Sequence, residues 1–447
     1  MSPRLEGDLD VDVAIVGAGY TGLWTALALR EREPGLRVAV LEAHRVGLGP
    51  SGRNGGFLHG YWSGLAELRS LFGDERALEL CRLAERIVPG VRVFADERGE
   101  DVWLREGGVL KVATTSSQEA SLDRAVVAAR EVGTPEQAVP LGPDEVAERV
   151  RSPRFRRGVF FPEGATVQPA RLVRALRRAV LGAGVELYER TPVTRLVPGS
   201  TNVLETPHGT VRASEAVLAV NASAADWRPL AGRLTVFGSY VVLTEPVPEL
   251  LEETGWTGGE AVIDGRMFLH YFRTTPDGRV LMGSGSGPIG FGNRLDRRFS
   301  HDAPTAARAE AGLRALLPAL ARARVTHAWG GPIDVSADHV PFFGTVPGKR
   351  VHYAAGFSGH GVGPSWLAGQ TLASLATGRD DEWTSHALVN RGGARVPGEP
   401  WRRLGGGLIR ASILACEEAE EAGRPAPLAA RVGAAIPRLL GLRLGQR

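Results

Sequence analysis

The 447-residue sequence predicts an α/β fold, α+β overall, in which a discontinuous parallel-sheet domain faces a mainly antiparallel sheet. A short apolar run at 11–16 leads through glycines into a helical pattern, and a second apolar run follows at 38–42. Strand-like runs return between 185 and 220, whereas residues 236–300 alternate as strands with little helix. Strand–helix–strand units build parallel sheets and consecutive strands build antiparallel ones. We therefore expect two domains, the first assembled from several chain segments.

The composition is that of a globular protein. A hydrophobic content of 43% at this length can build sizeable cores. No window offers the ~20 consecutive apolar residues of a membrane-spanning helix, and the amino terminus is charged, so we expect a cytoplasmic protein without a membrane span. The 53 basic and 50 acidic residues are interspersed, which argues against a nucleic-acid partner. Cys81 and Cys416 are far apart, so neither a disulfide framework nor a metal site is expected.

The first strand and helix enclose a glycine-rich turn of the form GxGxxG. The turn, Gly17–Gly22, follows the apolar run at 11–16, and Glu42 lies twenty residues further on at the end of the next strand. This is the dinucleotide pattern of a Rossmann-like domain, in which glycines let a pyrophosphate approach the helix N-terminus and the acid binds ribose hydroxyls. The cofactor contacts predicted here are Gly17, Gly19, Tyr20, Thr21, Gly22 and Glu42.

A second glycine-rich segment, residues 49–56, comes seven residues after Glu42. A nicotinamide dehydrogenase has no use for it. A planar isoalloxazine ring, by contrast, needs backbone at van der Waals distance and donors for its carbonyl groups and ring nitrogens. We therefore predict FAD as the cofactor, with an anion-binding surface loop as the alternative interpretation. The predicted contacts are Ser51, Gly52, Arg53, Asn54, Gly55 and Gly56, with side-chain donors from Ser51, Arg53 and Asn54.

Three clusters near the carboxyl end complete a resemblance to a known family. They are Trp329–Pro332, then Asp338 with Pro341 and Gly344, then Gly356–Gly363. With the amino-terminal motifs they make residues 11–385 similar to the amino-acid and amine oxidase (DAO) family of flavoproteins, which includes D-amino acid oxidase, glycine oxidase and sarcosine oxidase. The form of residues 51–56 points to the gamma-glutamylputrescine oxidase and aminophosphonate oxidoreductase branch, and the tail from 375 to 410 strengthens that match.

The resemblance implies an FAD domain, a substrate sheet and further cofactor contacts. In the family, the carboxy-terminal clusters line the flavin ring and the ribityl chain. The contacts carried over are Val193, Gly330, Gly331, Gly356, Ser358, Gly359, His360, Gly361 and Val362. Several relatives attach the flavin through a cysteine near the position of Trp329. This chain has no cysteine there, so non-covalent FAD is implied.

The electron acceptor stays open between O2 and a carrier. Relatives similar to sarcosine oxidase promote the reaction with oxygen through a lysine over the flavin. The only lysines of this sequence, Lys111 and Lys349, lie outside the matching segments. His360 and Arg53 are alternative sources of positive charge, so oxidase and dehydrogenase behaviour are both left open.

Amine oxidation by a flavin requires substrate-orienting groups rather than an acid–base dyad. A strand predicted at 266–273 places Tyr271 and Arg273 on one face and His270 on the other. Arg273 with Tyr271 would hold an anionic substrate end, whereas a surface or interdomain ion pair is the alternative for Arg273.

Two residues directly after the flavin loop, His59 and Tyr61, are further candidates for the substrate pocket. The predicted catalytic and substrate-binding residues are Tyr271, Arg273, His270, His59 and His360.

The predicted boundaries divide the chain into seven segments. The FAD-binding domain takes residues 11–85, 150–235 and 325–385, the substrate domain takes 86–149 and 236–324, residues 1–10 form an arm, and 386–447 form a helical extension. The extension ends in an amphipathic pattern of Leu428, Val432, Ile436 and Leu440, with Arg431 and Arg443 on the other side. Because Pro437 interrupts it, packing against the body is favoured over a membrane or partner helix.

Together these features predict an FAD-dependent enzyme that oxidises a primary or secondary amine to an imine. The other end of the amine is expected to be anionic, as in an aminophosphonate, a gamma-glutamyl amine or an amino acid. The alternatives are a nicotinamide-dependent dehydrogenase, disfavoured because the sequence offers one credible dinucleotide turn, and a flavin-binding protein without catalytic activity. The oligomeric state is not predicted.

Overall fold

A computed structural model describes residues 2–439 and contains two large β-sheets flanked by helices. The strands are β1 (Leu9–Val16), β2 (Val38–Leu41), β3 (Phe57–Leu58), β4 (Val109–Val112), β5 (Val139–Leu141), β6 (Gly158–Phe161), β7 (Ala165–Thr166), β8 (Glu186–Tyr188), β9 (Arg195–Val197), β10 (Asn202–Thr206), β11 (Gly209–Leu218), β12 (Leu234–Thr244), β13 (Ala261–Asp264), β14 (His270–Thr274), β15 (Val280–Ser284), β16 (Val325–Ser336), β17 (Phe342–Thr345) and β18 (Val351–Ala355). The helices are α1 (Tyr20–Arg32), α2 (Leu65–Phe72), α3 (Asp74–Ala84), α4 (Ile87–Arg98), α5 (Ser116–Glu131), α6 (Pro143–Arg149), α7 (Pro169–Gly182), α8 (Pro248–Glu253), α9 (Ala303–Leu316), α10 (Val362–Ala376), α11 (Glu382–Ser385), α12 (Trp401–Glu421) and α13 (Leu428–Leu439).

The first sheet is the predicted Rossmann-like one. Its main strand order is β17-β18-β11-β1-β2-β8, with parallel neighbours except for β17 and β18, and β10 and β9 extend it by antiparallel pairing from β11. The apolar run at 11–16 becomes the central strand β1, in which Val13, Ala14 and Ile15 are buried. A parallel strand is covered on both faces, which is why this run is almost continuously apolar.

The second sheet has the order β16-β12-β15-β14-β13-β4-β6-β5, and its neighbours are antiparallel except for β13 and β4. Helix α9 covers one face, where Leu313 packs in the same core as Phe272 and Met282. The α/β fold class predicted from the sequence is confirmed.

Two predicted boundaries differ from the strand pairing. β6 pairs with β4, and β16 pairs with β12 along its length, so the cuts at 150 and 325 each assign a strand of the second sheet to the FAD domain. β6 is a short apolar run and β16 is a glycine-containing run, both next to FAD-domain segments, and the partners β4 and β12 lie far away in sequence. Local pattern therefore does not show which sheet they join.

The predicted strand at 266–273 is shorter than expected, because β14 begins at His270. The Asp264 carboxylate accepts hydrogen bonds from the backbone N–H groups of Arg266 and His270, at 3.2 and 2.9 Å, and these bonds hold residues 265–269 as a loop.

The segment between α4 and α5 contains β4 and a single bridge between Arg105 and Thr166.

The C-terminal extension forms α12 and α13, which pack against each other. Gly433 of α13 lies directly on Ser412 of α12, where a larger side chain would clash. Leu440 and Arg443 of the predicted amphipathic pattern lie outside the described residues. Within residues 2–439, none of the helices is both long enough and apolar enough to cross a membrane.

Candidate active site

The glycine turn between β1 and α1 has the geometry that a dinucleotide site requires. Gly17 has a φ of +100°, and a β-carbon there would meet the carbonyl oxygen of Ala219 on the neighbouring strand connection. A β-carbon at Gly22 would meet the Gly17 carbonyl oxygen, so only glycine lets α1 start this close to β1. Tyr20 and Thr21 occupy the first turn of α1 and are buried.

The Glu42 carboxylate lies beside this turn, at the end of β2. Its Oε2 accepts a hydrogen bond from the backbone N–H of Ala18 at 2.9 Å, and its Oε1 accepts one from His44 at 2.9 Å. Each carboxylate oxygen has a second lone pair, so Glu42 can also accept from ribose hydroxyls. The structure thus brings together the two dinucleotide elements that the sequence spacing predicts.

The loop at 49–56 is held by its own polar side chains. Ser51 Oγ accepts from the backbone N–H of Tyr20 at 2.9 Å, which ties the loop to the start of α1. Asn54 donates from Nδ2 to the carbonyl oxygens of Pro50 and Ser51, both at 3.1 Å, and accepts from the Gly56 N–H at 2.8 Å. The amide hydrogens of Asn54 are used within the loop, so the expectation that Asn54 donates to a flavin ring is wrong. The Ser51 hydroxyl only accepts in its bond with Tyr20, so its role as a donor to the flavin stays a prediction.

Unlike Asn54, Arg53 of the same loop directs its side chain away from the loop backbone. Its guanidinium donates to Ser300 Oγ at 3.1 Å and lines a large cavity, while its carbonyl oxygen accepts from Trp329 Nε1 at 2.8 Å. This bond joins the loop at 49–56 to the first carboxy-terminal cluster, Trp329–Pro332, which lies nearly 280 residues away in the chain.

The cavity has a volume of about 1340 Å³ and lies between the 53–57 loop and the second sheet. Tyr271 of β14 and alternate residues of β12 line one side, and the segments 331–341 and 357–360 line another. Residues of α12 and α13 close a further side, which the sequence did not predict.

The two glycines after Trp329 face different ways. Gly331 lines the cavity and has open space where a side chain would stand, which is the kind of cradle a planar ring needs. Gly330 instead packs against the Tyr240 ring and donates its N–H to the Ser300 carbonyl at 3.1 Å, so the structure does not place it at the cavity.

Asp334 fixes the third cluster and was missed by sequence reasoning. Its Oδ2 accepts from the Gly356 N–H at 2.6 Å, and its carbonyl oxygen accepts from the Ser358 N–H at 2.8 Å. Burial raises the pKa of Asp334 to about 7. The sequence offered one signal for this role, namely that Asp334 is an acidic residue between two glycine-containing clusters. Gly359, Gly361 and Val362 follow this anchored turn and lead into α10.

Three imidazoles lie at the cavity and all are neutral at pH 7. Burial lowers the pKa of His59, lowers that of His360 to about 3 and lowers that of His339 to about 4. The rings of His59 and His360 are 6.2 Å apart between centroids. The idea that His360 carries a positive charge toward oxygen is therefore wrong.

His339 was not predicted, although it follows Asp338 directly in the second cluster. Its φ is +59°, unusual for a residue with a side chain. Its Nε2 is buried and has no hydrogen-bond partner within residues 2–439. Such an orphaned group in a cavity lining fits a polar ligand atom.

Lys111 of β4 also lines the cavity and is buried, and its Nζ donates to Ser121 Oγ at 3.3 Å. The family resemblance gave no reason to place it there, because β4 lies between the motif segments. The structure thus supplies a cation at the cavity that the sequence did not predict.

The three candidate substrate residues of β14 differ in the face of the strand that they occupy and in how deeply they are buried. Tyr271 lines the cavity, and its hydroxyl lies 2.9 Å from Ser239 Oγ; burial raises its pKa to about 12. Arg273 lies on the same face, as alternation predicted, but it packs under Gly55 and Gly56 and does not reach the cavity. Its predicted contact with substrate is therefore wrong.

His270 lies on the opposite face of β14, against Gly312 of α9, and its Nδ1 is 2.8 Å from Asp264 Oδ2. The sheet separates His270 from the cavity, so its predicted catalytic role is also wrong. Tyr61 does line the cavity, and its hydroxyl is buried without a hydrogen-bond partner within residues 2–439.

The residues present fit FAD. The dinucleotide turn and Glu42 suit the adenosine diphosphate half, while Gly331, the 53–56 loop and the orphaned His339 Nε2 suit the ring end. Val193 packs in the core cluster that contains Leu41, the residue before Glu42. Its contact with the cofactor stays a prediction.

Comparison with known proteins agrees with this site. The family model "DAO: FAD dependent oxidoreductase" matches residues 12–375. The chain is 32% identical over 391 residues to a probable oxidoreductase OrdL of Rhizobium meliloti (strain 1021), covering 85% of this chain and 86% of that protein. It is 30% identical over 390 residues to gamma-glutamylputrescine oxidoreductase of Escherichia coli (strain K12), covering 86% and 87%.

Among solved structures, glycine oxidase from Geobacillus kaustophilus is similar with a TM-score of 0.70 and 26% identity, covering 86% of this chain and 100% of that one. The family match spans both sheets and every predicted flavin-binding segment. The chain therefore belongs to the DAO family and is an FAD-dependent oxidoreductase.

Proposed function

We propose that the protein oxidises a primary or secondary amine with an anionic second group to an imine, using non-covalently bound FAD. Aminophosphonates, gamma-glutamyl amines and amino acids are the candidate classes. The observation that carries the proposal is the cavity between the flavin loop and the second sheet, with neutral imidazoles and an excess of cations in its lining. The named activities of the relatives support the same class.

The chemistry requires few protein groups. When bound, FAD would supply the two-electron oxidant for removal of a hydride from the carbon next to the amine nitrogen, and the resulting imine would be hydrolysed by water. The protein must bind the amine unprotonated and hold its C–H bond toward the ring. Tyr271, with its raised pKa, stays a neutral hydroxyl beside this space.

His59 is suited to hold the amine nitrogen. Its Nδ1 lies 2.9 Å from the Gly60 carbonyl oxygen, which can only accept, so Nδ1 carries the proton and Nε2 keeps its lone pair. Because burial keeps this ring neutral, Nε2 can accept a hydrogen bond from the N–H of an unprotonated amine.

The charges of the lining favour an anionic substrate. Six arginines and Lys111 face it against three acids, Glu67, Asp264 and Asp338. Asp264 is already bonded to His270, and both oxygens of Asp338 accept from Arg391, at 2.7 and 2.9 Å, while among the cations Arg266 is paired with Glu421. An excess of cations in a partly desolvated cavity attracts a carboxylate or phosphonate.

The test is anaerobic reduction of the purified flavoprotein by a panel of amines. We expect bleaching of the flavin absorbance by amines that carry a carboxylate or phosphonate, and none by the corresponding alcohols. A flavin that no amine reduces would overturn the proposal in favour of a non-catalytic role. Release of nicotinamide dinucleotide instead of FAD would favour the dehydrogenase alternative. Reoxidation rates in air then distinguish O2 from a carrier as acceptor.

A further inference from the structure

Helix α12 forms a wall of the cavity, although it lies beyond residues 12–375 of the family match. Most of its cavity-lining residues recur at intervals of three and four, which places them on one stripe of the helix. The stripe consists of Arg402, Gly405, Gly406, Ile409, Arg410, Ile413 and Cys416, and Trp401 and Leu408 border the cavity beside it.

The helix is fixed to the second sheet at both ends of the cavity. Toward its carboxyl end, Glu417 accepts a hydrogen bond from the Met267 N–H at 2.7 Å, and Glu421 forms an ion pair with Arg266. Toward its amino end, the Arg402 guanidinium donates to Asn293 Oδ1. The wall is therefore positioned by contacts with loops of the substrate sheet.

Arg410 is the charged residue in the middle of this stripe. Its Nε donates to the Ser286 carbonyl oxygen at 3.0 Å, and Nη2 donates to the same atom. Arg308 also donates to Ser286, from Nε to Oγ at 2.9 Å and from Nη2 to the carbonyl oxygen at 3.0 Å.

Two guanidinium groups thus converge on one serine, and neither has a carboxylate within ion-pair distance among residues 2–439. Asp302 acts on Arg410 electrostatically but is not in contact with it. The Nη1 group of Arg410 makes no hydrogen bond within the described chain. Because a half-buried guanidinium without an anion is unfavourable, the arrangement calls for an anionic ligand.

Space for that ligand comes from glycines. Gly405, Gly406 and Gly407 stand in the body of α12, where each glycine costs about 1 kcal/mol relative to alanine. Gly405 lines the cavity and has nothing within 4 Å of the position where a β-carbon would stand. The glycines therefore leave room on the cavity wall one turn before Arg410.

We propose that α12 forms the distal substrate subsite, in which Arg410 binds the carboxylate or phosphonate of the amine and Gly405 leaves space for its chain. The subsite rests on the proposed amine oxidation. It makes the C-terminal extension a determinant of substrate specificity.

The first test compares Arg410→Met with Arg403→Met, an exposed arginine of the same helix. Butanoate and propylphosphonate, which lack an amine and cannot be oxidised, are titrated into the FAD-loaded enzyme while the flavin absorbance is followed. Arg410→Met should raise the Kd of the better ligand more than tenfold, and Arg403→Met should change it less than twofold. The better of the two ligands also identifies the anion. Equal Kd values in both variants, or no binding of either anion to the unmodified enzyme, would overturn the subsite.

The second test adds the same side chain on two faces of α12. Gly405→Leu fills the cavity wall, whereas Gly407→Leu points into open space and is exposed. Both substitutions improve helix propensity, so a folding defect is not expected in either. Only Gly405→Leu should weaken anion binding and slow reduction by long anionic amines, by more than tenfold. Equal effects would contradict the subsite.

These readouts separate the two proposals. If anions bind in an Arg410-dependent manner but no amine bleaches the flavin, the proposed oxidation fails and the anion subsite stands. If amines bleach the flavin but Arg410→Met slows charged and uncharged amines alike, the oxidation stands and the subsite fails.

Discussion

The Arg273 guanidinium donates a hydrogen bond from Nε to the carbonyl oxygen of Gly55. A strand of the second sheet is thereby joined to the loop that is predicted to contact the flavin. Nη1 of the same side chain donates to the Thr274 carbonyl oxygen at 3.1 Å, and the side chain is 3% exposed, which leaves no path to a substrate. Burial lowers the pKa of Arg273 to about 10, so the group still carries its charge at pH 7.

We expect Arg273→Met to lower the melting temperature and to weaken FAD retention. The Gly55 carbonyl would lose its buried donor, and an unsatisfied buried acceptor costs about 1–3 kcal/mol. Charged and uncharged amines should be slowed alike. Arg195→Met, at an exposed ion pair with Glu205, is the control and should change little. A selective loss for anionic amines at full stability would restore the substrate role predicted from the sequence.

Glu42→Ala should weaken FAD binding by about 1–3 kcal/mol, the range for charge-assisted hydrogen bonds. The substitution removes the acceptor predicted for the ribose and also frees the Ala18 N–H of the glycine turn. The measurement is the FAD Kd of the apoprotein by fluorescence titration. Glu31→Ala on the surface of α1 serves as the control. An unchanged Kd in Glu42→Ala would contradict the assignment.

Local pattern predicted the first βαβ unit well because most of its defining features are short in sequence, although the space at Gly17 is also limited by Ala219. Gly17, Gly22 and Glu42 lie within a single strand–turn–helix–strand unit, and the geometry of the turn leaves glycine as the only fit. The same reasoning put Tyr271 and Arg273 on one face of β14. Alternation gives the face of a strand, however, and says nothing about what covers it or how deep each side chain lies.

Long-range contacts account for what the sequence did not predict. Lys111 and Arg410 reach the cavity through pairing of β4 and docking of α12, and neither contact has a local signature. The loop at 265–269 follows from Asp264 capturing backbone N–H groups, which competes with the strand pattern.

FAD should be released intact when the protein is denatured with acid. Cys81 is buried in α3, and Cys416 is the cysteine that lines the cavity, so Cys416 is the residue to test. Cys416→Ala should release the same amount of flavin as the unmodified protein, measured by absorbance of the supernatant. Flavin that precipitates with the unmodified protein but not with Cys416→Ala would show covalent attachment.

Asp334 should make stability depend on pH. Its pKa is raised by burial to about 7, whereas an aspartate in the unfolded chain titrates near ~3.9. Between about pH 4 and pH 7 the folded Asp334 therefore holds a proton that the unfolded chain has released, so the contribution of Asp334 to stability falls as the pH rises through this window.

Asp334→Asn should remove this contribution, so that its melting temperature rises relative to that of the unmodified protein as the pH increases, while the amide oxygen keeps an acceptor for the Gly356 N–H. The measurement is the melting temperature from pH 4 to pH 8 with FAD in excess. Asp380→Asn, at an exposed position, should keep the slope of the unmodified protein. Parallel curves for the unmodified protein and Asp334→Asn would contradict the prediction.

His59 should act on the amine nitrogen and not on the anionic end. His59→Ala removes the Nε2 acceptor, and we expect kcat/KM to fall more than tenfold for charged and uncharged amines alike, since ~1.4 kcal/mol of lost transition-state binding is one decade. His59→Gln keeps an acceptor and should retain more activity than His59→Ala. His208→Ala, on the surface, is the control. FAD binding should persist in all three. This pattern differs from that of Arg410→Met, which should penalise anionic amines alone. If His59→Ala slows only anionic amines, the imidazole contacts the acid group, and the orientation of substrate between His59 and α12 is the reverse of the one proposed.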